Sequence, residues 1–192
     1  MRKRVPALLL ALLMLCGCGA KEDAHPQWAA EWTRAGDILA VETPEGFALA
    51  ESNDVLSLSG LWYFTWASGE GYTVTNGDAQ EATAYDAQIY LLLCECADEA
   101  KAQVSVEDWM VREAETYTAD GPVTVTAGDQ TYEMLTLHRS GGSPYDHGAA
   151  AFAARGALAI SVEVLCAPTF TGDAQTILTA FLTGFHFGTQ EV

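Results

Sequence analysis

Residues 122–139 read PVTVTAGDQTYEMLTLHR, two runs of strand-forming residues with Gly128-Asp129 between them. Val, Thr, Tyr and Leu suit a pleated surface, and a Gly-Asp pair supplies the backbone angles of a tight turn. The stretch therefore predicts a β-hairpin. After a loop containing Gly and Pro, residues 149–166, AAAFAARGALAISVEVLC, repeat the pattern with a turn across Arg155-Gly156. Two consecutive hairpins commit this half of the chain to an antiparallel sheet.

Working outward, each end of this block meets a helical pattern. On the N-terminal side, SVEDWMVREAETY (105–117) places Val106, Trp109, Met110 and Tyr117 on one side of a helix. Ser105 with Asp108 three residues on offers the N-cap, and the pattern also allows an earlier start, near Asp98. On the C-terminal side, Asp173 caps an amphipathic segment carrying Ile177, Leu178, Phe181 and Leu182, and GFHFG (184–188) closes as a short strand. Upstream come a strand in ILAVET (38–43), a turn in PEGF (44–47), and FALAESNDVLSLSG (47–60) as a short strand and loop. LWYFTWA (61–67) is a strong strand, and QIYLLLCEC (88–96) is another. Between them lies a polar stretch with a hairpin signal at Asn76-Gly77. The predicted order is several strands, a helix, four strands, a helix and a last short strand. That order gives an α+β fold, a largely antiparallel sheet with two main helices packed on it.

In LWYFTWA, Trp62, Phe64 and Trp66 share one face and Leu61, Tyr63 and Thr65 the other. The Trp62–Trp66 face has two readings, a core layer or a platform on which a sugar or peptide stacks. Trp62 and Trp66 are thus candidate ligand-binding residues.

The chain opens MRKR and continues with an apolar run from Val5 to Leu15. As a helix that run measures about 16 Å, against about 30 Å of bilayer hydrocarbon. A basic head, a short apolar middle and small residues describe a secretory signal peptide. The run ends LCGC, Leu15, Cys16, Gly17 and Cys18, which resembles the lipobox of bacterial lipoproteins. The resemblance implies a diacylglyceryl thioether on Cys18 and cleavage between Gly17 and Cys18. Cys16 fits less well, because bulky Leu15 would occupy the position where the peptidase needs a small side chain. The predicted organisation is a lipoprotein signal peptide over 1–17, a lipidated N-terminus and tether over 18–31, and one domain over 32–192. Trp28 and Trp32 either rest at the membrane interface or pack on the domain. The predicted location is the cell membrane, lipid-anchored and facing outside the cytoplasm.

Of 192 residues, 26 are Asp or Glu and 9 are Lys or Arg, a net charge of −17. Loss of Arg2, Lys3 and Arg4 with the signal takes the mature chain to about −20. Such a field repels phosphate backbones, so nucleic acid is a poor partner. It favours solubility outside the cell or contact with a basic partner. Beyond the anchor, Cys94, Cys96 and Cys166 form an odd set, which cannot complete a disulfide framework. They read as small buried hydrophobes, with a bridge from Cys166 to Cys94 or Cys96 left open.

Catalytic patterns are sparse. HRSGGSPYDHG (138–148) gathers His138, Ser143, Asp146 and His147, but Pro144 offers no N–H for an oxyanion hole after Ser143. The patch reads as a loop. Metalloprotease, phosphate-loop, dinucleotide and calcium-loop patterns are missing, so no cofactor and no metal is expected. No carboxylate pair can be singled out among so many acids.

TPEGF (43–47), SVEDW (105–109), RGALAISVEV (155–164) and ILTAFLTGFHF (177–187) together resemble a PsbP-like domain over roughly residues 38–187. The resemblance implies an antiparallel sheet flanked by helices, of a kind that recurs in small bacterial lipoproteins and mostly serves binding or assembly. It carries over no functional residue. The expected function is a lipid-anchored extracytoplasmic binding or assembly module for an envelope protein partner or a small ligand. An envelope-associated hydrolase is the alternative. Converging carboxylates or a Cys–His contact would favour the enzyme, and helices covering the Trp62–Trp66 stripe would favour the module.

Overall fold

The computed structural model describes residues 28–53, 59–75, 81–139 and 143–188. The signal peptide, Cys18 and the turn at Asn76-Gly77 lie outside the described residues. In chain order the elements are β1 (Thr33–Ala35), β2 (Leu39–Val41), β3 (Ala48–Ser52), β4 (Leu61–Ser68), β5 (Tyr72–Thr75), β6 (Glu81–Ala84) and β7 (Ala87–Glu95). Helix α1 (Glu99–Thr116), β8 (Thr118–Ala127), β9 (Gln130–His138), β10 (His147–Arg155), β11 (Leu158–Cys166), helix α2 (Ala174–Thr183) and β12 (Phe185–Phe187) follow.

Seven strands form one antiparallel sheet in the order β3-β4-β7-β11-β10-β9-β8. With two helices packed on it, the chain is an α+β protein. A three-stranded sheet β1-β2-β12 and a separate β5-β6 hairpin complete it. The β8–β9 hairpin turns at Gly128-Asp129 as expected, with Ala127 opposite Gln130. Gly128 holds φ 60°, which an L side chain resists and this turn requires. The next hairpin pairs Arg155 with Leu158, so its turn is Gly156-Ala157, one residue later than Arg155-Gly156. Gly156, at φ 54°, takes the first turn position and fixes that register. Pro122 sits in β8 at an edge of the sheet, where a bulge between Asp120 and Val123 accommodates its missing N–H.

Helix α1 starts at the earlier of the two readable positions. Asp98 is its N-cap, the side chain accepting from the Lys101 N–H at 2.8 Å. Ser105 falls inside the helix, its Oγ 3.7 Å from Cys96 Sγ. Asp98 wins because its carboxylate caps and complements the helix dipole together, and seven further residues then become helical, with Ala102 among them buried against the sheet. Helix α2 begins after Asp173, whose side chain accepts from the Thr176 N–H at 2.7 Å.

The two sheet faces are covered differently. One packs against α2 and the small sheet, with Trp62, Phe64, Trp66, Ile89, Leu91, Leu93, Phe181 and Leu182 buried together. Trp66 is fully buried, its ring 5.0 Å from Phe181 in an edge contact. The opposite face meets α1, chiefly over β10 and β11. Ala150 and Phe152 of β10, Leu135 and Leu137 of β9, and Ala102 and Val106 of α1 form the core there. Alanines on both faces of β10 let helices approach the sheet from either side.

Cys166 cannot pair with Cys94 or Cys96. It lies opposite Ala87 at one end of the β7–β11 ladder, while Cys94 lies opposite Ala159 near the other end. Cys166 also belongs to the core on the α2 side, and Cys94 and Cys96 to that on the α1 side. All three thiols are free. Trp32 packs on the domain, stacked on His186 at 4.0 Å, and Arg34 lies over the Trp28 ring.

Candidate functional site

Strand alternation sends the odd residues of β4, the even residues of β7 and the odd residues of β11 to the α1 side of the sheet. Glu51, Thr65, Tyr90 and Glu163 are successive partners across β3, β4, β7 and β11. Tyr63, Leu92 and Ser161 form the neighbouring row. Because α1 sits mainly over β10 and β11, no helix among the described residues lies above this half of the face, and a groove runs there.

Two adjoining hollows make up the groove. The first, about 390 Å³, has Tyr63, Tyr90, Leu92, Ser161 and Glu163 in its floor and Glu113 and Tyr117 in the wall from α1. The second, about 410 Å³, shares Tyr63 and Tyr90 and is bounded by Glu51 of β3 and by Ala82, Thr83 and Tyr85 from the β5–β6 side. The bulge in β3 between Leu49 and Glu51 lets both Ala50 and Glu51 face this hollow. At its base the buried Gln88 Oε1 accepts from the hydroxyls of Tyr90, at 2.6 Å, and Tyr145. The Tyr145 hydroxyl in turn accepts from the Tyr85 N–H at 3.0 Å. This network fixes the floor, since each polar atom is satisfied by a neighbour that is itself held.

The carboxyl groups of Glu113 and Glu163 are less well satisfied. Glu113 Oε2 and Glu163 Oε1 are both shielded from solvent and have no hydrogen-bond partner among the described residues. Burial pushes the Glu163 carboxyl up to about 8, and the neighbouring charge of Glu113 adds to the rise. Tyr117 and Arg139 act in the opposite direction, more weakly. Burial also raises the Glu113 carboxyl. The Tyr63, Tyr90 and Tyr117 hydroxyls are all raised, first by burial, and Tyr145 is pushed to about 12 for the same reason. Near neutral pH the groove therefore holds neutral phenols and a proton on its carboxyl pair.

The residues singled out from sequence are distributed elsewhere. Trp62 and Trp66 lie in the core beneath α2 and present no groove. Ser143 accepts from the Tyr145 N–H at 3.2 Å, closing a local turn. His147 Nδ1 lies 2.6 Å from Asp146, and His138 Nε2 lies 3.6 Å from Asp120. Those contacts tie each side chain to near neighbours and assemble no relay onto Ser143. Among the described residues no cluster of three His, Cys, Asp or Glu could hold a metal ion, and no helix is long and apolar enough to cross a membrane.

Sequence reasoning missed the groove pair, although each member had a signal. Glu113 falls four residues after Trp109 and four before Tyr117, on the helix side that also carries Ala102 and Val106. Glu163 shares a strand face with Ser161 in an otherwise apolar central strand. A polar residue on a strand flanked on both sides and covered by helices marks a site or a cost. No family model matches this chain, and no curated protein matches it.

Proposed function

We propose that this chain is a lipid-anchored extracytoplasmic binding module of PsbP-like architecture, with the groove between α1 and the β5–β6 hairpin as its ligand site. The anchor is Cys18, supported by the basic start, the short apolar run and the LCGC end. Residues 18–31 tether the domain to the outer side of the membrane, where an envelope partner or a small ligand meets it. The observation that carries the binding role is the uncovered tyrosine face, opposite a Trp face that α2 closes. A pocket with aromatic walls and a few converging polar groups is the usual form of a small-ligand site.

Amide chemical-shift mapping tests this reading. A panel of small neutral and charged probes should perturb β4, β7, β11 and the C-terminal half of α1. Perturbations confined to α2 or to the outer edge of β8 would contradict it.

The hydrolase reading has one observation in its favour, the converging carboxylates of Glu113 and Glu163. Glycoside hydrolysis needs one protonated acid and one ionised partner. Burial raises both groups here and keeps a proton on the pair, the acid that reading needs. Turnover of aryl glycosides above the buffer rate, abolished by Glu163→Gln, would favour the enzyme.

A further inference from the structure

The groove's chemistry narrows the class of ligand. Its two shielded carboxylate oxygens are acceptors without donors. The walls are tyrosine rings, and Leu92 and Leu165 add an apolar strip. The chain's net charge of −17 draws cations toward the site. A divalent metal would need further oxygen ligands that this pair does not supply. An ammonium group answers both needs, since its N–H bonds satisfy the orphan acceptors and its charge is attracted to π faces.

We propose that the groove takes a primary alkylammonium, its head donating to the carboxyl groups of Glu113 and Glu163 and its chain lying along Tyr63, Tyr90 and Leu92. The inference rests on the groove being the ligand site and adds the class of ligand. Other titratable or charged groups around Glu163 are Glu113 and Tyr117 at the end of α1, Tyr63 on β4, Tyr90 on β7 and Arg139 after β9. Glu51 lies three strands away, beyond Tyr90 and Thr65, and β10 presents neutral Ala150. Entry of the cation expels the proton held at Glu163 to solvent, so affinity rises with pH until that carboxyl is ionised.

The test is calorimetry on the full chain in a nonionic detergent, with 1,5-diaminopentane as probe and its fully N-methylated bis-quaternary analogue as control. The diamine should bind at least tenfold more tightly at about pH 9 than at about pH 6.5, because each unit below the Glu163 midpoint costs about tenfold. About one proton per diamine should be released near pH 7. The quaternary analogue keeps the charge but has no N–H donor, and should bind at least tenfold more weakly. Glu163→Gln should remove the tight binding and its pH dependence together, and Glu113→Gln provides a second variant if the first does not fold. Affinity flat across this pH range, or equal binding of the two probes, overturns the inference. Groove amides shifted by a neutral polyol but not by the diamine would overturn the ammonium and leave the groove standing. Silence of the groove toward both would overturn the two together.

Discussion

Glu113 on α1 and Glu163 on β11 line one wall and the floor of the same hollow, each with a carboxylate oxygen cut off from solvent and from any donor among the described residues. The structure tolerates this arrangement because a proton on the pair removes the like-charge repulsion. A carboxyl pair of this kind serves no packing purpose that Leu or Met would not serve better.

Stability should therefore depend on pH in a defined direction. The Glu163 carboxyl is raised on folding, so the folded state holds a proton that the unfolded state loses first. The protonated pair's contribution is complete below the ordinary glutamate range, is lost as pH rises toward about 8, and changes little above it. Thermal melts should show Glu163→Gln matching the parent near pH 4 and exceeding it near pH 8.5 by about 4–5 kcal/mol. The difference between the two proteins is the readout, because overall charge repulsion affects both alike.

The Trp face should behave as core. Trp66→Ala removes a fully buried ring packed on Phe181 and should cost about 3–5 kcal/mol in denaturant unfolding. Tyr63→Ala, on the opposite face of the same strand, should cost less and weaken ligand binding instead. A stable Trp66→Ala protein that has lost a binding activity would reverse the assignment of the two faces.

Much of this architecture was legible from local pattern. Gly128-Asp129, the cap at Asp173 and the alternation in LWYFTWA are short-range signals, and the structure follows each. The α1 start was ambiguous because Asp98 and Ser105 both offer a cap oxygen, and only packing of Ala102 on the sheet decides between them. The groove could not be read the same way. It depends on β7 lying between β4 and β11, which places Tyr90 between Thr65 and Glu163 although the three are far apart in sequence. Strand order is a long-range property, and one acidic residue in a strand does not reveal what stands beside it.

Thiol labelling should separate the three cysteines. Burial pushes the Cys166 thiol up to about 11 and leaves it no exposed surface, so it should react only on unfolding. Cys94 and Cys96 are partly exposed, with sulfurs 4.0 Å apart, and burial together with Cys96 raises the Cys94 thiol. They should label slowly in the native protein. Mass spectrometry after non-reducing digestion should find no peptide joined through Cys166.

Cys18→Ser should abolish lipidation and the signal cleavage that depends on it, and a protein starting near Ala20 behind an ordinary secretory signal should be released from the membrane fraction. Trp28 and Trp32 offer no second anchor, because Trp32 is stacked on His186 and Trp28 lies under Arg34. Retention of the protein starting near Ala20 on membranes after a salt wash would contradict the proposed anchor.

The most direct test is the titration of the glutamate side-chain carboxyls by carbon NMR, with Glu163→Gln identifying the resonance. The account predicts one carboxyl with a midpoint near 8, assigned to Glu163, in the ligand-free protein. If every glutamate instead titrates in the ordinary range of about 4–5, the carboxyl pair is open to water, and the groove as described is contradicted.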